Sequence, residues 1–145
     1  MKKLESGRSM VEMLGVLAII GVLSVGGIAG YVLSMNRYRA NQMLDLANKY
    51  AGVLSASQQA YVIRNGSMAN WTAPTFAQSK VGTLPGNGYS ISLDSSQTFS
   101  DAETRFTLNL TFISESICKT AVKINADPNV SCNGTQASFV FNVGN

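Results

Sequence analysis

Hydrophobic and polar positions follow three different patterns along this chain, and the places where the pattern changes divide it. From Met13 to Met35 no residue is charged, and apolar residues occupy every side of any helix drawn through the run. A bilayer core is crossed by roughly 20 predominantly apolar residues, so the run is long enough to span one. A carboxylate, Glu12, stands at its very edge, where a charge is costly. From Met35 to Ile63 there is no proline and a single glycine, Gly52. Tyr38, Gln42, Leu46, Tyr50, Leu54 and Tyr61, with Ala47, Ala51 and Val53 nearby, recur at helical spacing, and Arg37, Asn41, Asp45, Asn48 and Lys49 lie beside them. That is an amphipathic helix with one face for a core. Arg64-Asn65-Gly66-Ser67 ends it, Gly66 suiting a left-handed C-terminal residue. One helix from near Arg8 to about Arg64 would be about 80 Å long at 1.5 Å per residue.

Beyond the helix the pattern is first irregular and then strictly alternating. Residues 67–88 are punctuated by Pro74, Pro85, Gly82, Gly86 and Gly88, with Trp71 and Phe76 as apolar weights that pack on a surface; a short helix is expected near Thr75 to Lys80. After Gly88 the period becomes two. Tyr89, Ile91 and Leu93 form one apolar set, Phe106, Leu108, Leu110 and Phe112 a second, and Phe139, Phe141 and Val143 a third. Each set marks a half-buried strand whose core face is best covered by the stripe on the long helix. Ser114 to Ile124 reads as a helix capped by Ser114 or Ser116. The expected fold class is α+β: a long N-terminal helix, its apolar half protruding, packed against a small antiparallel sheet with a C-terminal region closed by a disulfide. Four segments follow: residues 1–7 as a charged, polar N-terminus, 8–35 as a hydrophobic transmembrane helix, 36–64 as its amphipathic continuation, and 65–145 as a globular head.

Composition narrows the chemistry. The chain has 145 residues, a net charge of +3 and no histidine, which removes the commonest general base and metal ligand. Lys2, Lys3 and Arg8 are clustered at the N-terminus and the other cations are dispersed, so no basic stripe for nucleic acid is evident. Without histidine there is no Ser/His/Asp or Cys/His arrangement. Asp94, Asp101, Glu103, Glu115 and Asp127 are scattered among polar neighbours; Asp101 and Glu103 could hold a cation with Asp94, but a solvated loop accounts for them better. GGIAG and GNG lack the strand, helix and lysine of a phosphate loop. No enzyme, cofactor or metal site is expected. Asn-x-Ser/Thr triplets start at Asn65, Asn70, Asn109, Asn129 and Asn133, as a chain rich in these residues produces by chance.

A basic leader, Gly7, four residues, Glu12 and then the apolar run resembles the class III signal of type IV pilins and pseudopilins. The match is close over Lys2 to Val25. The resemblance implies that a prepilin peptidase cuts between Gly7 and Arg8, that Arg8 becomes the N-methylated terminus, and that Glu12 serves assembly. The family usually carries phenylalanine or methionine after the cut, where this chain has Arg8. The physics agrees with the role given to Glu12: an arriving subunit's free α-amino group could pair with a neighbour's carboxylate, and a shifted helix would leave the charge unpaired. Family pilins often carry a proline within the span, in a region that can extend on assembly. This chain has none, and Gly26, Gly27 and Gly30 are the candidates for similar compliance; Gly26 and Gly30 also form a small-xxx-small pair.

Cys118 and Cys132 lie outside any CxxC or metal spacing. In an exported domain with a small core they are best read as one disulfide, the alternative being two free buried thiols. Charges flank the span on both sides, so orientation rests on the resemblance and on the paired cysteines of the soluble part, which place the N-terminus in the cytoplasm and the C-terminus outside. The pattern from Arg105 to Val143 looks more like the type IVb branch than type IVa. The implied function is a structural subunit of a type IV pilus that polymerises with itself. The implied partners are prepilin peptidase, the inner membrane before assembly, the pilus assembly platform and the outer-membrane secretin, and the final location is extracellular. The alternative is a pseudopilin of a type II secretion system. A membrane-tethered ligand-binding domain that never polymerises is a third reading.

Overall fold

The computed structural model describes the backbone of residues 4–99 and 104–143, and the side chains of these residues from Ser9 onward. It divides into two units, Met1–Met35 and Asn36–Asn145. The described residues of the first are all helical. Helix α1 runs from Leu4–Asn65, and the part before Asn36 keeps its large apolar side chains exposed on all sides, from Met10 and Val11 through Val22 to Leu33. An apolar surface this continuous suits a helix surrounded by lipid or by other helices. By length and composition α1 can cross a membrane, and its most apolar stretch is 0% buried. The one hydroxyl in the middle of the run, Ser24, donates to the Ile20 carbonyl at 2.7 Å, so it presents no unpaired donor there.

The second unit is built on the remainder of α1. Ala40, Met43, Leu46, Ala47, Tyr50, Ala51 and Leu54 are buried along one face, at the three-and-four spacing of an amphipathic helix. The expected stripe is corrected at its start. Tyr38 is 63% exposed, and burial begins instead at Ala40 and includes Met43 and Leu44. The stripe therefore lies nearer the Met43 side of the helix than the Tyr38–Gln42 spacing implied. Gly66, at φ 74°, ends the helix and its N–H reaches the Val62 carbonyl, the left-handed termination expected of it.

The irregular segment after α1 is tied back to it. Tyr61 donates to the Ala69 carbonyl and Tyr50 to the Pro74 carbonyl. Trp71 meets Phe99 edge-on at 5.2 Å, and Phe76 meets Tyr50 edge-on at 5.6 Å. The short helix α2, Phe76–Ser79, starts from a Thr75–Gln78 capping box. Gly82 passes so close to α1 that a Cβ there would lie 2.6 Å from Leu46 Cδ2.

Three strands follow: β1 (Ser90–Leu93), β2 (Arg105–Thr111) and β3 (Gln136–Asn142), in the antiparallel order β1-β2-β3. Helix α3, Glu115–Asn125, connects β2 to β3 and is capped by Ser114 through the Ile117 N–H. The register sets Leu110 between Ile91 and Ala137, and Leu108 between Leu93 and Phe139. These residues belong to the same core as the α1 stripe and as Ile117, Cys118 and Ala121 of α3, with only Leu93 partly exposed. The fold is α+β, a long N-terminal helix packed against a small three-stranded antiparallel sheet.

Candidate functional site

Two regions carry the residues singled out in the sequence. The first is the N-terminal part of α1. Gly7 and Arg8 lie within its backbone span, while their side chains lie outside the described residues. Glu12 is exposed on the helix surface, and it has no ion pair among the described residues. Arg8 and Glu12 are four residues apart, a spacing that puts them on one helix face. Gly26, Gly27 and Gly30 are all helical, and a Cβ at any of them would meet nothing within 4 Å. Among the described residues no contact requires glycine at these positions.

The second region is the C-terminal part of the head. Cys118, buried on α3, is bonded to Cys132 in the segment before β3, 14 residues later in sequence. The bond fixes the loop that returns the chain from α3 to the sheet. On α3 an exposed Lys119 reaches Glu115 at 2.7 Å, and this hydrogen bond, with the lysine's charge, lowers the Glu115 pKa.

The outer face of the sheet forms a cleft of about 490 Å³ that the sequence did not single out. Its floor consists of two neighbouring cross-strand rungs, Ser92–Asn109–Ser138 and Ser90–Thr111–Gln136. Its wall comes from Ser131 and Asn133, in the segment leading into β3. Asn133 and Gln136 exchange backbone hydrogen bonds across a turn with Gly134 at φ 61°. Alternation in β1, β2 and β3 did show which residues face outward. It could not show which of them stand side by side, because that depends on strand order and register.

Asp94 and Asp127 have local structural roles. Asp94 accepts from the Ser96 N–H at 2.9 Å and from the Ser96 hydroxyl at 2.8 Å, and these bonds, the backbone one first, lower its pKa. Asp127 accepts from the Asn129 N–H. Asp101 and Glu103 lie outside the described residues. Among the described residues no group of three His, Cys, Asp or Glu side chains could hold a metal ion. Comparison of the chain with family models, curated proteins and solved structures returns no match.

Proposed function

We propose that this chain is a structural filament subunit of the type IV pilin kind, held in the inner membrane by its N-terminal helix and then polymerised through it. The observation that carries this reading is the contrast between the two units. Every residue of the core lies at or beyond Ala40, while the helix before Asn36 is apolar on all sides with its large apolar side chains exposed. A plain anchor whose glutamate reaches the interface explains the apolar surface and the carboxylate, but not the placement of Glu12 relative to Gly7. In an assembled filament the helices cover one another, and Glu12 of an arriving subunit is paired with the α-amino group that cleavage after Gly7 creates on a neighbour. A carboxylate left unpaired among packed apolar helices is costly, so pairing it rewards one axial register over others. In this reading prepilin peptidase makes the cut, and the assembly platform and an outer-membrane secretin handle the filament. The glycines at 26, 27 and 30 give neighbouring helices room to approach.

Two measurements test the proposal. Intact mass of the fraction sheared from the cell surface is expected to begin at Arg8 and to lack two hydrogens for the disulfide. Full-length protein confined to the membrane would overturn it. Glu12→Ala is expected to abolish filaments while membrane insertion continues, and normal filaments from that variant would refute the register argument.

A further inference from the structure

The cleft on the outer sheet face has a composition that selects among ligands. Its two floor rungs present serine and threonine hydroxyls and asparagine and glutamine amides, and no lining residue carries a formal charge. Each of these side chains can both donate and accept hydrogen bonds. We propose that this cleft is a binding site for a neutral carbohydrate, a proposal that stands on the head alone and does not depend on filament assembly.

Three observations carry the argument. The volume, about 490 Å³, falls within the range of about 300–1,000 Å³ occupied by small-ligand sites. The floor is ordered before any ligand arrives: the Ser138 hydroxyl donates to Asn109 Oδ1 across the strands. That bond fixes the Asn109 amide and leaves its Nδ2 donors without a partner among the described residues. The backbone that carries Asn133 and Gln136 is held by reciprocal hydrogen bonds. Preorganised polar groups lose little entropy on binding.

Charge and polarity then exclude the competing occupants. Nucleic acid would require cations for its phosphates, and none lines the cleft. A protein partner would require an apolar centre to its interface, whereas the only apolar residue lining the cleft is Ala137, 5% exposed. A ligand that is itself uncharged and bears several hydroxyls, each a donor and an acceptor, matches what is left.

The test uses the full chain in a zwitterionic, sugar-free detergent, with amide NMR shifts followed during titration with lactose, maltose and N,N′-diacetylchitobiose. Saturable shifts confined to Asn109, Gln136, Ser138 and their strand neighbours are expected with at least one sugar. Asn109→Leu is expected to weaken that binding at least tenfold. Ser138→Ala, which removes only a hydroxyl from an exposed position, is expected to weaken it several-fold and covers the case in which the leucine variant misfolds. The absence of saturable shifts with all three sugars overturns the proposal, as does undiminished binding by a folded Asn109→Leu. Tighter binding of a sulfated oligosaccharide at the same amides overturns the assignment of a neutral ligand. Shifts of these amides with protein concentration alone would give the face to a second copy instead.

Discussion

Two buried tyrosines in the head occupy contrasting environments, and the contrast sets opposite expectations for removing their hydroxyls. Tyr50 is 2% exposed and donates to the Pro74 carbonyl at 2.7 Å, tying the segment after α1 to the helix. Tyr89 is also buried, but its hydroxyl has no partner among the described residues. Tyr50→Phe leaves a carbonyl unpaired and is expected to lower stability by about 1 kcal/mol or somewhat more. Tyr89→Phe removes an unsatisfied group and is expected to be neutral or to stabilise by up to about 1 kcal/mol. Thermal melts of the two variants check both. Burial raises the Tyr50 pKa, and the sign of its pH dependence follows. Below the unfolded tyrosine value near 10 both states hold the proton and nothing is lost. As pH rises beyond it the unfolded chain ionises first, so stability falls. The alkaline slope of stability is therefore expected to be shallower in Tyr50→Phe than in the natural chain.

Strand β2 is longer than its partner β1, and one side chain completes the difference. Where β1 ends, Asp94 N–H still reaches the Thr107 carbonyl. Beyond it the Gln97 amide takes over: its Nε2 donates to the Arg105 carbonyl at 2.6 Å, and its Oε1 accepts from the Thr107 N–H at 2.8 Å. A glutamine here pairs with the strand as a backbone would. Gln97→Ala strips two β2 backbone groups of their partners and is expected to cost about 1–3 kcal/mol, with faster exchange of the Thr107 amide in hydrogen-exchange measurements. Reducing the Cys118–Cys132 bond acts on the opposite side of the sheet. It frees a loop closed across a sequence separation of 14, for which chain entropy gives about 3 kcal/mol. A clear fall in melting temperature is expected on reduction, and an unchanged melt would show that α3 and the β3 lead-in hold each other without it. The elements themselves were legible in the sequence, for reasons that these cases delimit. Alternation in Phe106–Phe112 and Phe139–Val143 and the cap at Ser114 are local signals, and they mark strands and helix correctly. The Gln97 bridge and the paired rungs around Asn109 depend on which strands adjoin and in what register. The displaced stripe, with Met43 buried and Tyr38 exposed, depends on where the sheet meets α1. None of these is encoded within a short window.

At the scale of the whole chain, the two units ask for different surroundings. All of the buried core lies between Ala40 and Phe141, and the tyrosine ties, the capping box, the Gln97 bridge and the disulfide all fall within Asn36–Asn145 as well. Nothing in that set draws on a residue before Asn36, so removing residues 1–35 removes no member of the core. It does take away the apolar surface that runs from Met10 to Leu33, which in water would drive association through exposed hydrophobic area. Oxidised protein beginning at Asn36 is therefore expected to be soluble and monomeric, and to melt cooperatively. Size-exclusion chromatography and near-UV circular dichroism check this. The full chain, in contrast, is expected to require detergent or lipid to remain dispersed. A shortened chain that is molten or aggregated would mean that the helix before Asn36 supports the head through the continuity of α1. The separation would then be one of contacts but not of stability. A shortened chain that is folded leaves the N-terminal helix free of any duty to the head, and its surface, Glu12 included, available to the membrane and to other copies.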